Sequence, residues 1–326
     1  MLNVRAAVLG DAGIEVRDLD KPAPKPNEVL IRVRASTLNR ADLIVASGHR
    51  HGAVGGVGAR IGLECAGDVE AVGSDVAGVK PGDRVMATAP GGIAEYAVTD
   101  FARVHRIPAN NMTYEQAACF PVALGTMHNA IVTAGRLKRG ETLLMQGASA
   151  GVGLMGMQIA ELMGASLVIG TSTNAERRAH LKEFGCDLAI DSSQPEWPDE
   201  VKKATGGKGV DVIIDLVSAS VAVQNLAAAA ILGRIVNVGR LGGMKGEFDF
   251  DLHAAKRIDY IGVTFRTRTP DEIREINRLM RADLWPAVEA GALHLPIYKT
   301  FPLSQVAEAL DVMKANRHFG KIAIAM

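Results

Sequence analysis

The sequence is short of the residues and runs that mark several common protein classes. Cys65, Cys119 and Cys186 are its three cysteines, odd in number and far apart. They give no CxxC pair for zinc and no disulfide framework, and they suit a reducing compartment. Aromatic residues make up only 4% of the chain, which argues against a stacking surface for single-stranded nucleic acid. Lys+Arg and Asp+Glu both total 36, so no general basic field gathers nucleic acid or an anionic membrane, and any anion site must be local. A run of about 18 uninterrupted apolar residues, as a membrane span needs, is missing. The opening MLNVRAAVLGDAGIEV has no basic start followed by a long apolar stretch. The expectation is a soluble, cytoplasmic protein with neither nucleic acid nor membrane as partner.

What is present is length, glycine and a change of rhythm. The 326 residues favour two domains, each able to bury its own core. Up to about residue 110 short alternating runs are broken by turn residues. Val29, Ile31 and Val33 point one way and Arg32 and Arg34 the other, the pattern of an antiparallel strand over 28–35. Prolines in 22–27 make that stretch a connection feeding the strand, and VKPGD at 79–83 and PGG at 90–92 read as turns. From Thr113, followed by Glu115 and Gln116, a helical pattern runs to Gly135.

Beyond it strands and helices alternate. Strands are predicted over 142–146, 166–169, 188–190, 210–216, 234–238 and 260–263. Helices are predicted over 152–163 and 174–184, and an Ala-rich helix passes through 227–230. Continuous apolar strands separated by helices mean a parallel sheet covered on both faces. Helices over 270–289 and 303–315, a segment over 295–301 and a strand over 321–325 close the chain.

The block TLLMQGASAGVGLMGMQIAELM at 142–163 puts a buried strand, a turn of small residues and a helix in direct succession. This context lets the backbone approach a pyrophosphate, with the N–H donors of the helix N-terminus facing it. Two registers are readable: Gly151, Gly153 and Gly156 as a literal GxGxxG, or a turn from Gly147 to Gly153 with Ala148 and Ala150 in place of glycines. The second starts the turn directly after the strand and is preferred; Gly156 then serves helix packing. NAD sites place an acid at the end of the next strand to hold the ribose 2′-hydroxyl. Here that place reads Thr171, Ser172, Thr173, with Arg177 and Arg178 following. Hydroxyls plus a guanidinium suit a 2′-phosphate, so NADPH is the expected cofactor. The arginines read alternatively as a solvated helix face answered by Glu176.

STLNRADLIVASG at 36–48, GLECAGDVEAVG at 62–73, VKPGDRV at 79–85, GGIAEYAV at 91–98 and GASAGVG at 147–153 resemble the medium-chain dehydrogenase/reductase superfamily, in its quinone oxidoreductase branch. LNRAD, GRLGG at 239–243 and TFRTR at 264–268 are most similar to the p53-inducible quinone oxidoreductase group. The resemblance implies an α/β fold, with a GroES-like β domain over 1–121 and 266–326 and a doubly wound parallel-sheet (Rossmann) domain over 122–265. It also implies a homodimer.

Zinc-dependent members of the superfamily hold the metal with a cysteine, a GHE histidine and further ligands. Asn39 stands at the cysteine position and Leu63 at the histidine position, which leaves Glu64 without metal partners. Catalytic zinc normally needs three protein ligands, so no metal site is expected, and the cysteine-rich structural zinc lobe is absent as well. His49 and His51 of GHRHG read as loop residues. Without a Lewis acid, the mechanism reduces to placing the nicotinamide against an electrophile that accepts hydride unaided, such as a quinone or an activated enone.

By resemblance, Asn39 is the catalytic residue, near both nicotinamide and acceptor, and Thr126 contacts the cofactor. Ser149, Ala150, Gly151, Val152 and Gly153 hold the pyrophosphate, and Ser172, Thr173 and Arg177 the 2′-phosphate. Gly239, Arg240, Thr264, Phe265 and Arg266 line the nicotinamide side. Read for themselves, Asn39 is also a turn residue, Thr126 a helix cap and Glu64 a buried structural carboxylate. The chain departs from many quinone reductases in having Ile44 where they have a tyrosine, and 191–193 where they have another. The function expected is NADPH-dependent reduction of a quinone or quinone-like carbonyl. An enone or ketone reductase on the same scaffold and a low-turnover, NADPH-binding redox sensor or structural protein are the alternatives.

Overall fold

The computed structural model describes residues 3–52 and 55–326. The chain divides into two compact units, Met1–Val122 with Phe265–Met326, and Ala123–Thr264.

In the first unit β1 (Asn3–Gly10) and β2 (Gly13–Asp20) form an antiparallel hairpin. Strand β3 (Glu28–Thr37) starts where the proline-rich connection ends, burying Ile31 and Val33 and exposing Arg32 and Arg34. Helix α1 (Arg40–Ala46) follows, then β4 (Glu64–Val72), β5 (Arg84–Thr88), β6 (Tyr96–Asp100) and β7 (Val104–Arg106). Helix α2 (Tyr114–Ala118) opens with a capping box between Thr113 and Gln116. Helix α3 (Pro121–His128) begins at the end of this unit, continues into the second and runs into a π-helical turn over Asn129–Ala134. The combined run Tyr114–Ala134 is long and apolar enough to cross a membrane by composition, and 72% of its apolar window is buried in protein, as for a core helix.

The second unit alternates strictly: β8 (Thr142–Gln146), α4 (Gly151–Leu162), β9 (Leu167–Thr171), α5 (Ala175–Ala179), β10 (Leu188–Ile190), α6 (Trp197–Ala204), β11 (Val210–Asp215), α7 (Ala222–Ala228), β12 (Ala229–Asn237), α8 (Phe250–Lys256) and β13 (Asp259–Gly262). All six strands are parallel, in the order β10-β9-β8-β11-β12-β13. The chain therefore builds outward from β8 to one side, crosses over, and builds out again from β11. Ligands of doubly wound sheets bind at the carboxyl ends of the strands beside such a crossover. Leu144, Ile169, Ile213 and Ile235 make the core here with Trp197, Val201 and Leu226.

Some expected elements come out differently. The Ala-rich helix ends at Ala228, and Ala229 already pairs with Val210 in the sheet. The reason is a tertiary contact: Lys256 Nζ donates to the carbonyls of Leu226, Ala227 and Ala229 at 2.7–2.8 Å, closing the helix end against alanine's helical propensity. The helix expected over 174–184 is α5 followed by a separate 3₁₀ turn, Leu181–Phe184, stopped by Gly185 at φ 78°. Helices α1, α6 and α8 are short and carried no sequence signal strong enough to predict them.

The chain returns to the first unit with α9 (Pro270–Glu289), β14 (Ile297–Pro302), α10 (Val306–Lys314) and β15 (Lys321–Ala325). Its seven-stranded sheet has the order β14-β15-β3-β4-β5-β7, with β6 also paired to β3. β15 joins β3 antiparallel, with Ala323 opposite Thr37, and this register builds the polar cluster described next.

Candidate active site

In the second unit the turn after β8 is built for close approach. Gly147 takes φ 83°, which a residue with a side chain rarely adopts. The turn is tied to β9: Gly147 N donates to Thr171 Oγ1 at 3.0 Å and Ala148 N to the Thr171 carbonyl at 2.9 Å. Thr171 Oγ1 in turn donates to Gln146 Oε1. Helix α4 then starts at Gly151 with Ala150 as its N-cap, so no side chain caps the first turn, and no acid lies in it. The N–H groups of Gly151, Val152 and Gly153 have no intrahelical acceptor. They form an uncapped, positive helix end of the kind that holds a phosphate. A Cβ on Gly153 would meet the Ala148 carbonyl at 2.6 Å, so the turn needs glycine there. Gly156 faces Met145 and Met127 instead and is a packing glycine. The strand ends at Gln146, and the turn follows at once, in the alanine-substituted register.

Ser149 Oγ lies 3.1 Å from Ser172 Oγ, so two hydroxyls meet beside this turn. Ser172 is buried and Thr173 exposed. Arg177 sits half-buried on α5, whose cap is Asn174. Arg178 is committed elsewhere: it donates to the Ser172 carbonyl at 2.8 Å and pairs with Asp191 at 3.1 Å. Asp191, and not Glu176, therefore answers it, a contact across β10 that sequence spacing does not reveal. Uncapped amides, paired hydroxyls and a strand end without an acid fit a nicotinamide dinucleotide.

Thr126 lies inside α3, half-buried, and caps no helix. Gly239 follows β12; a Cβ there would lie 2.5 Å from the Leu216 carbonyl. Its own carbonyl accepts from Ser218 Oγ at 2.5 Å. Arg240 is exposed and donates to the Val238 carbonyl at 3.2 Å. Thr264 is half-buried, while Phe265 and Arg266 are exposed in the turn that re-enters the first unit, where Arg266 Cα packs 3.3 Å from the Cβ position of Gly52.

In the first unit Asn39 is the N-cap of α1 and is 9% exposed. With Ala323 opposite Thr37, the antiparallel register brings Lys321 alongside Asn39. Lys321 Nζ donates to Asn39 Oδ1 at 2.9 Å, to Glu64 Oε1 at 2.7 Å and to the Leu38 carbonyl at 3.2 Å. Glu64 is fully buried. Its Oε1 also accepts from Thr37 Oγ1 at 2.6 Å and Asn39 Nδ2 at 2.8 Å, and its Oε2 from Val122 N at 2.8 Å. Glu64 is thus a carboxylate neutralised and saturated by protein donors, and the Asn39 amide is clamped between acid and ammonium. Leu63 is packed against the apolar core. His49 Nδ1 lies 3.1 Å from Ser47 Oγ. Among the described residues no three His, Cys, Asp or Glu gather as metal ligands would.

Sequence reasoning missed Lys321 and Asp42. Lys321 opens an otherwise apolar strand, KIAIA, and a charge at the head of such a strand was the available signal. Asp42 follows Asn39 by three residues, the spacing of a helix capping box, and its Oδ2 accepts from Asn39 N at 2.7 Å.

Known proteins match the chain along its length. Family models match in two places: an alcohol dehydrogenase GroES-like domain over residues 25–109 and a zinc-binding dehydrogenase over residues 151–282. Human quinone oxidoreductase is 31% identical over 312 residues, covering 95% of this chain and 92% of that protein. A mycocerosic acid synthase-like polyketide synthase of Mycobacterium tuberculosis is 29% identical over 311 residues, 95% of this chain but only 15% of that much longer relative. The crystal structure of CurK enoyl reductase superposes with a TM-score of 0.86 at 25% identity, covering 99% of both chains. A GroES-like unit joined to a 3-2-1-4-5-6 parallel sheet with a glycine-rich first turn defines an oxidoreductase that uses a nicotinamide cofactor. The chain belongs to the medium-chain dehydrogenase/reductase superfamily, in its quinone oxidoreductase branch.

Proposed function

We propose that this chain is a zinc-independent reductase that passes hydride from NADPH to a quinone or quinone-like carbonyl. The observation that carries the reading is the state of Glu64. At the place where zinc-dependent members carry metal ligands, Asn39 and Leu63 replace two of them, and Glu64 spends its oxygens on Lys321, Asn39, Thr37 and Val122 N. When bound, the reduced nicotinamide supplies the hydride. The residues do the rest: the amides of Gly151 to Gly153 hold the pyrophosphate, with Ser149 and Ser172 beside them. Ser172, Thr173 and Arg177 favour the 2′-phosphate of NADPH over the free ribose of NADH. Asn39 is the acceptor-side residue, its amide oriented by Glu64 and Lys321. Human quinone oxidoreductase, similar over nearly the whole chain, supports the acceptor class.

NADPH oxidation measured against quinones, enones and aldehydes tests the proposal. Turnover of quinones above the protein-free blank is expected, and no turnover with any acceptor would sink it. Bound zinc at one ion per chain would overturn the zinc-independent mechanism. Arg177→Ala is expected to weaken NADPH binding by about tenfold to a hundredfold, as loss of hydrogen bonds to a charged group does, and to leave NADH unaffected. Unchanged NADPH affinity would reject the phosphate assignment.

Reduction of an activated carbon–carbon double bond is the second reading. Two observations favour it: the half-buried Ile44 in place of a tyrosine, and the similarity to an enoyl reductase structure. An enone turned over in preference to every quinone would select it.

The protein is also proposed to be a homodimer. In support, β13 ends its sheet with one edge unpaired among the described residues, beside an open, largely apolar depression lined by Phe248, Phe250, Ile258, Tyr260 and Ile261.

A further inference from the structure

The buried cluster around Glu64 encloses a second carboxylate. Asp42, in the first turn of α1, is 1% exposed. Its Oδ2 accepts from Asn39 N, and its Oδ1 is buried with no hydrogen-bond partner among the described residues. The charged groups acting on it are Lys321 from β15 and Glu64 from β4, with the N–H groups of Asn39 and Gly62. Arg40, its neighbour on α1, is turned to Asn316 Oδ1 at 2.5 Å. Glu308, Asp311 and Lys314 of α10, the helix packed against α1, are exposed to solvent. Two carboxylates and one ammonium thus meet on Asn39, Asp42 at its backbone N–H, Lys321 at its Oδ1 and Glu64 at its Nδ2. With both ionised the cluster carries an uncompensated negative charge out of water, which is costly, and the carboxylate with a spare, unpartnered oxygen is the one placed to take a proton. Burial pushes the Asp42 carboxyl up to about 7.

We propose that Asp42 is a positioning residue that holds the balancing proton of this cluster and, on releasing it to solvent, draws the Lys321 ammonium away from Asn39. With Asp42 neutral, Lys321 serves Glu64, Asn39 and the Leu38 carbonyl, and the Asn39 amide is clamped. With Asp42 ionised, the ammonium has two carboxylates to serve and the Asn39 carbonyl is released. The acceptor side of the site is thereby coupled to pH. This inference rests on the reading of Asn39 as the acceptor-side residue.

The direct test is the side-chain amide resonance of Asn39, followed by ¹⁵N NMR from about pH 5 to about pH 9, which brackets the shifted group. In the unaltered protein the resonance moves with one inflection in the neutral range. In Asp42→Asn, whose carboxamide oxygen still accepts from Asn39 N, the inflection is lost. In Glu64→Gln, which removes the repelling charge, it shifts to lower pH; this variant decides the matter if Asp42→Asn does not fold. A resonance that does not move with pH, or that moves alike in Asp42→Asn, overturns the proposal. In turnover the acceptor KM follows the same inflection while kcat changes less, and Asp42→Asn flattens the KM profile. A KM profile that keeps its inflection in Asp42→Asn also overturns it. A protein whose Asn39 resonance titrates as described but which oxidises NADPH with no acceptor rejects the reductase reading and leaves the Asp42 titration standing.

Discussion

The interaction of Lys321 with Glu64 differs in kind from the ion pairs on the surface. Their side chains are 5% and 0% exposed, so neither charge has water to fall back on. Lys321→Met leaves the buried Glu64 side chain short of its cation. The expected loss of stability is about 3–5 kcal/mol, the usual cost of breaking a buried pair from one side. Arg278→Ala, at a pair whose side chains are 64% and 53% exposed, is expected to change nothing measurable. Urea unfolding of both variants checks the contrast, and similar midpoints would show that the Glu64 pair is solvated. The cysteines give a second expectation. Burial pushes the Cys65 and Cys119 thiols up to about 12 and Cys186 to about 11. None is a thiolate at neutral or mildly alkaline pH, and iodoacetamide is expected to alkylate them only after denaturation. Rapid labelling of the native protein at about pH 8 would contradict that burial. Asn39 could be singled out from the sequence because its place in LNRAD is local. Lys321 was not, since its contacts to Asn39 and Glu64 span 282 and 257 residues and exist only through the pairing of β15 with β3.

At the scale of elements, the β8–turn–α4 unit was readable because everything that shapes it is contiguous. A buried strand, a positive-φ glycine and an uncapped helix start follow one another within residues 142–151. Strands β8 and β10 and helix α9 fall where the sequence places them. The Ala228/Ala229 boundary did not, because three carbonyls held by one distant lysine outweigh local propensity. Two of the three glycines of α4, Gly153 and Gly156, separate these effects by experiment. A methyl at Gly153 meets the Ala148 carbonyl, a backbone atom that only a shift of the glycine-rich turn can move. Gly153→Ala is expected to cost about 1–3 kcal/mol and to abolish tight cofactor binding. At Gly156 the methyl meets Met145 Cε and Met127 Sδ, the ends of flexible thioethers that can rotate away. Gly156→Ala is therefore expected to cost less than about 1.5 kcal/mol and to keep the cofactor affinity. Thermal denaturation with cofactor titration compares them, and equal loss of affinity in both would show that α4 packing, and not the turn, sets binding.

For the molecule as a whole, the proposed homodimer is tested at the β13 end of the six-stranded sheet. Strand β13 lies at its end, and an unpaired edge offers a row of backbone donors and acceptors to another chain. Charged or proline residues commonly protect such an edge; here Asp259 is followed by Tyr260, Ile261 and Gly262. Phe250 and Tyr260 beside it are 75% and 37% exposed, and Ile231 and Leu232 of β12 are also exposed at 61% and 62%. Apolar side chains flanking a bare strand edge suit a second copy that continues the sheet, each β13 pairing with its counterpart about a twofold axis. The expected mass in solution is then twice the 34.4 kDa of one chain. Ile261→Pro removes a backbone donor from the edge and is expected to yield monomers that still bind the nicotinamide cofactor, since the glycine-rich turn lies at β8, three strands away in the sheet. Sedimentation equilibrium decides the matter: a monomeric unaltered protein, or a dimer that survives Ile261→Pro unchanged, would place the interface elsewhere.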